Sequence, residues 1–218
     1  MAMASNTFSG SVRVAARRES TIDEALDHAL TILDSDGVGA VTVSEIARRM
    51  GMRAPSLYKY FPSLHAIYDA LFSRGNVAVN AFVAGAAEGV DPGLPRLLAG
   101  SRAVLRWSHD SAGLAQLMFW RPVPGFEPSP ASYEPSQAMW QRFRADLAAA
   151  AEAGELDPTA DSDEVLRLLT IVIAGISSQQ MANQPGASFE EGSFTSLIDR
   201  ALAMFVQHHS PRNKKGKR

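Results

Sequence analysis

Residues 41–61 constrain this chain more than any other stretch, because nearly every position there has a local steric reason. Thr42 and Glu45 have the spacing of a capping box, so a helix opens there and runs to residue 49. Gly51 breaks it, and a second short helix is expected over 54–60. Two helices joined by so short a turn cross steeply, and the inner face at the crossing needs a small side chain. Ala47 supplies it, while Gly51 supplies the residue that tolerates positive φ in the turn. Ile46, Met52 and Leu57 are spaced to fill the small core beneath. Pro55 is acceptable because the first turn of a helix has no N–H partner to lose. With these positions committed, Arg53, Ala54, Ser56, Tyr58 and Lys59 remain on or near the outer face. That set can read base edges and touch phosphates from a major groove.

The rest of the chain reads as helical throughout. Residues 1–19 look like a flexible arm ending in Arg13, Arg17 and Arg18. Thr21 with Glu24 is a second capping-box pair, followed by an apolar stripe through Ile22, Ala25, Leu26, Ala29, Leu30 and Leu33. Asp36-Gly37 ends that helix, and Phe61-Pro62 ends the one at 54–60. Further helices are expected over about 63–87, 95–108, 112–119, 137–153, 161–181 and 192–209. The proline-rich connection 121–130 has Trp120, Phe126 and Tyr133 in or beside it, which marks it as packed rather than free. No strand-like alternation and no internal repeat is visible, so the expected class is all-α. The expected division is an arm (1–19), a helix-turn-helix domain (20–66), a larger helical domain (67–210) and a disordered basic tail (211–218).

Charge localises the candidate partner. The 218 residues carry a formal net charge of −2. Residues 1–60 hold seven basic and seven acidic side chains, residues 61–210 nine and sixteen, and the last eight add five basic ones. An acidic body cannot hold a polyanion by bulk charge, so any DNA contact must come from a small oriented surface. Cysteine is absent, which excludes thiolate metal sites, disulfides and cysteine nucleophiles. No run of about 18 apolar residues suggests a membrane span, and the polar N-terminus does not read as a secretory signal. A cytoplasmic protein is the expectation.

The 41–61 segment, with the helices on either side of it, resembles the DNA-binding domain of TetR-type bacterial transcriptional regulators. The small residue Ala47, the glycine Gly51, the Leu57-Tyr58-x-x-Phe61 ending and the following helix are all in register over about residues 20–70. The resemblance implies that 54–60, including Pro55, is the recognition helix, that Thr42 and Ser44 face phosphate, and that Tyr58 touches the DNA backbone. Tyr60 stands where the family often has histidine. Two positions depart from the pattern. Arg53 replaces the usual Ser or Thr, and Leu64 followed by His65 stands where a phosphate-gripping lysine is common. The basic arm and the tail (Lys214, Lys215, Lys217, Arg218) add either DNA attraction or solubility.

The same resemblance implies a regulatory domain that holds a small molecule and a homodimer formed through the last two long helices. Trp107, His109, Met118, Phe119, Trp120, Phe126, Tyr133, Trp140 and Phe143 are the candidate effector-binding residues, with Met139, Gln116 and Arg121 beside them. They imply an apolar effector. The stretch from Asp163 is apolar around most of its circumference, so a partner subunit is expected on one side of it. Val165, Leu169, Val172, Ile173, Ile176, Leu197 and Phe205 are the candidate interface residues. Such a dimer fits a near-palindromic double-stranded operator and, when bound, the nucleoid. The five histidines form no HExxH pair, and neither a phosphate-cradling loop nor a nucleophile elbow occurs, so no enzyme, cofactor or metal is expected. The reading is a ligand-responsive regulator, most simply a repressor. The alternative is a helical small-molecule enzyme or binding protein whose helix-turn-helix no longer binds DNA.

Overall fold

Side-chain caps open four of the helices in the computed structural model, which describes residues 5–211. In chain order the helices are α1 (Ser5–Asp36), α2 (Val43–Arg49), α3 (Ala54–Leu57), α4 (Leu64–Ala86) and α5 (Leu94–Asp110). They continue with α6 (Ala112–Trp120), α7 (Pro130–Glu152), α8 (Asp163–Asn183) and α9 (Ile198–His209). Among the described residues there is no strand, so the fold is all-α. Thr42, Ser63, Ser129 and Ser162 each accept a backbone N–H with the side chain at the start of α2, α4, α7 and α8.

Two helices start earlier than the sequence suggests. Residues 5–19 continue α1 instead of forming an arm, and the Thr21 hydroxyl donates to the Arg17 carbonyl at 2.9 Å, as an interior threonine does. The helix-forming run Ala15-Ala16-Arg17-Arg18-Glu19 carries the helix through the expected cap. Likewise α7 begins at Pro130, not at 137, because Ser129 caps it and Pro130 occupies the first turn. Pro135 is absorbed inside α7. Residues 1–4 and 212–218, and with the latter the expected basic tail beyond Pro211, lie outside the described residues.

The hydrophobic core is continuous and α4 runs through its middle, packed against α1, α5, α6 and α7. Ile67, Leu71 and Val79 of α4 are fully buried, with Ile32 from α1, Leu97 and Leu105 from α5, Leu117 from α6 and Leu147 from α7. Each such side chain contributes about 1.5–3 kcal/mol by leaving water. By composition α8 is long and apolar enough to cross a membrane, at mean hydropathy 1.4, but Val165, Leu166, Leu169 and Ile173 are buried inside the protein.

The start of α6 is docked on the end of α1. The Gly113 N–H donates to Asp34 Oδ1 at 3.2 Å, and burial pushes the Asp34 carboxyl above its usual range. A Cβ on Gly113 would collide with that carboxylate and press on Leu33. Gly113→Ala should therefore cost about 1–3 kcal/mol. Thermal melting should show a Tm lower by about 2–4 °C for each of those kilocalories; an unchanged Tm would show that this docking is loose.

Candidate nucleic-acid interface and effector cavity

The α2–α3 pair has the geometry that its residues dictate. Thr42 Oγ1 accepts the Glu45 N–H at 3.1 Å, and Gly51 takes φ 67° in the turn. The turn closes as the Met52 N–H donates to the Ala47 carbonyl at 2.9 Å. Ile46, Ala47 and Leu57 are buried, and Met52 is half-buried beneath the crossing. Arg53 is the extended residue before α3, which is one turn long and continues through hydrogen-bonded turns to Phe61. Thr42, Ser44, Arg53, Pro55, Tyr58 and Lys59 are exposed, Tyr58 at 51%; Ala54, Ser56 and Tyr60 are half-buried.

Only part of the local basic charge is free. Glu45 does not reach back to complete a capping box; it accepts two bonds from Arg48 at 2.7 Å and one from Arg49 at 2.8 Å. Arg49 also reaches Asp36 at 3.3 Å. The two guanidiniums hold the Glu45 carboxyl down at about 2. Among the described residues, neither Arg53 nor Lys59 has an acidic partner, so they are the unneutralised cations of the outer face. Arg18 adds a third: its guanidinium donates to the Lys59 carbonyl at 3.3 Å and lies 5.3 Å over the Tyr60 ring. His65 is exposed but has its ring 5.9 Å from Phe126, edge-on, toward the α6–α7 connection.

A cavity of about 470 Å³ lies between α5, α6, α7 and α8. Met118, Phe119, Tyr133, Trp140 and Phe143 line it as the sequence suggests, with Met139 and Arg121. Four expected residues do not. Trp107 is buried in the core at 5%, and His109 packs on Phe189 at 5.7 Å. Trp120 stands exposed beside Phe119, and Phe126 is buried against His65 and Tyr68. Gln116 is exposed and away from the lining. Sequence reasoning misses the opposite wall: Val104 and Ser108 of α5, with Leu166, Leu169, Thr170, Ile173, Ala174 and Ser177 of α8. The signal was the all-round apolar character of α8, credited wholly to a core and a partner.

The phase of α8 also alters the candidate interface. Val165, Leu169, Ile173 and Phe205 are buried within the protomer, at 6%, 1%, 7% and 6%, and cannot face a second copy. Val172 and Ile176 are half-buried and Leu197 is exposed. Leu168 and Ile171 on α8 and Met204 on α9 are the exposed apolar residues in their place.

The cavity and the helix-turn-helix meet on α4. Met118, on the cavity wall, packs where Gly75 leaves room on α4. The α6–α7 connection binds the N-terminal half of α4, with the Ser129 N–H and hydroxyl donating to Asp69 at 2.7 and 2.9 Å. One residue earlier, the Tyr68 hydroxyl donates to the Val38 carbonyl, between α1 and α2, at 3.1 Å.

Known proteins match this arrangement. Residues 25–71 match the family model of bacterial regulatory proteins, tetR family, and residues 97–205 match the tetracyclin repressor-like C-terminal domain. No curated protein matches the chain significantly in sequence. Among solved structures, a protein with unknown function from Rhodococcus sp. RHA1 superposes with TM-score 0.70 at 22% identity, covering 87% of this chain and 94% of its own. A bacterial regulatory protein in the tetR family, from Rhodococcus RHA1, gives 0.67 at 17% identity over 87% and 97%. A TetR family transcription regulator from Marinobacter aquaeolei VT8 gives 0.67 at 14% over 91% and 100%.

The Glu45 cluster has a pH signature. Because its folded value is depressed, the stabilisation from these pairs is complete above about 4.5 and is lost as pH falls through about 2. A carboxyl NMR titration should place the Glu45 midpoint near 2 and return it toward 4.5 in the Arg48→Ala/Arg49→Ala double variant. A midpoint unmoved by the double substitution would refute the pairing.

Proposed function

We propose, from the premise that this chain belongs to the tetR family of bacterial regulatory proteins, that it is a dimeric repressor released from its operator by an apolar effector. Membership makes it a DNA-binding transcriptional regulator. The release mechanism, the effector and the dimer are our reading. The observation that carries it is the shared helix: α4 follows the helix-turn-helix directly, and Met118 of the cavity wall packs against it at Gly75. A ligand shifts DNA affinity only by preferring one of two conformers. In this reading, the preferred conformer moves Met118 and the 121–129 connection, and α4 carries the recognition helix off the half-site spacing.

Exposed apolar side chains support the dimer. Leu168 and Ile171 on α8, Leu197 just before α9 and Met204 on α9 are 40–65% exposed. A second copy related by a twofold axis would cover both rows and present two recognition helices to a near-palindromic site. In this reading Thr42, Ser44, Tyr58 and Lys59 touch phosphates and sugars, while Arg53 and Ser56 reach toward base edges.

Two measurements test these statements. In a shift assay on the DNA upstream of its own gene, Tyr58→Ala and Lys59→Ala should each weaken binding by about tenfold, and Lys59→Ala should flatten the salt dependence by about one phosphate contact. Unchanged binding by both would contradict the recognition-helix assignment. Tight effector binding with negligible salt-dependent DNA affinity would favour the rival binding-protein reading instead. Ile171→Glu with Met204→Glu should give a monomer by light scattering that binds a two-half-site operator about 100-fold more weakly, having lost half of its phosphate contacts. A persistent dimer would place the interface elsewhere.

A further inference from the structure

Arg121 is the only non-glycine residue among the described ones with positive φ, at 45°. It ends α6 in the left-handed conformation, where a Cβ is penalised and glycine is the favoured residue. Backbone strain held at a ligand cavity points toward a use for the side chain. The guanidinium lies 5.5 Å over the Tyr133 ring, and both residues line the cavity. Arg121 is exposed at the mouth of the cavity and, among the described residues, has no ion pair and no hydrogen bond.

The remaining polar groups on the wall sharpen the chemistry. A hydroxyl has one proton to give. Ser108 gives its proton to the Val104 carbonyl at 2.7 Å, Thr170 to the Leu166 carbonyl at 2.9 Å, and Ser136 to Asn76 Oδ1 at 2.6 Å. These three have no proton left for an anion. Ser177 is different: it is 4% exposed, lines the cavity and makes no hydrogen bond among the described residues. No carboxylate stands on the lining. The unengaged groups are thus one cation, Arg121, and three neutral donors, the Ser177 and Tyr133 hydroxyls and the Trp140 indole N–H, on a lining with no anion.

We propose that the effector is a monocarboxylic acid with an apolar body, its carboxylate paired with Arg121. This rests on the reading of the cavity as the effector site. Arg121 offers a carboxylate two parallel N–H donors, a geometry that no other lining residue has. A cationic effector meets an arginine and no counter-charge, with the Tyr133 face already covered. A neutral one can accept from the Ser177 hydroxyl but brings no negative charge to match the guanidinium.

Decanoate, 1-decanol and decylamine share one chain and differ in head-group charge, so calorimetric titration of the full protein with the three, below their micellar concentrations, separates the possibilities. Decanoate should bind at least ten times more tightly than decanol, and decylamine should not bind over the same range. Arg121→Gly suits the left-handed backbone and removes the side chain with its guanidinium. In that variant decanoate and decanol should bind within twofold of each other, with Tm equal to or above the parent value. Equal binding of acid and alcohol by the parent protein, or an acid preference that survives Arg121→Gly, overturns the proposal. Decanol binding without an acid preference leaves the effector cavity standing and removes only the charge assignment. No binding by any of the three overturns both.

Discussion

Tyr68 and Asp69 are neighbours on α4, and they bind opposite halves of the molecule. Tyr68 holds the carbonyl of Val38, in the link between α1 and α2, while Asp69 receives the Ser129 N–H and hydroxyl from the start of α7. Such bonds are worth about 0.5–1.5 kcal/mol each, or about 1.5–3 where one partner is charged. The buried side chains of α4, at about 1.5–3 kcal/mol each, decide that α4 is in the core at all. The polar contacts decide its register. The buried Asn76 extends that register, donating to the Ser132 carbonyl at 3.1 Å and accepting the Ser136 hydroxyl at 2.6 Å. In the proposed mechanism a shift of the α6–α7 connection reaches the helix-turn-helix through this one helix.

Placement of charge matters more here than its amount. Of four basic residues across 41–61, two are neutralised by Glu45 and Asp36, and the pair left free, Arg53 and Lys59, flank the recognition helix. Arg49 ties α2 to Asp36 at the end of α1, while Arg48 pairs with Glu45 on its own helix. A nearly neutral chain can thus contact a polyanion through a few oriented groups while its acidic body faces away.

The helix-turn-helix was legible in the sequence because each of its positions has a cause within a few residues: a cap at Thr42, a small contact at Ala47, positive φ at Gly51. The helical class and the place of α4 were legible for the same reason. The cavity was half legible. Aromatic side chains marked α6 and α7, but the α8 wall is made of Leu166, Leu169 and Ile173, which look like any core residues. A helix apolar all round carries no phase, so sequence could not say which side of α8 faced the cavity and which faced outward. The interface candidates were accordingly rotated, with Leu169 and Ile173 inside and Leu168 and Ile171 outside. Long-range docking explains the other misses: Phe126 belongs to His65 and Tyr68, far away in sequence, and not to the cavity.

Coupling between cavity and DNA through α4 is the central claim, and operator affinity with the cavity empty and filled tests it most directly. Ala174→Phe places a ring on the cavity lining from α8, and Asp69→Ala cuts the Ser129 hydrogen bonds to α4 while leaving Met118 against Gly75. Affinity would be measured by fluorescence anisotropy on the DNA that the parent protein selects from a random pool. Filling should weaken binding at least tenfold, about 1.4 kcal/mol or more of coupling, where Asp69 is intact, and by less in the Asp69→Ala background. No loss in either background would contradict transmission through α4.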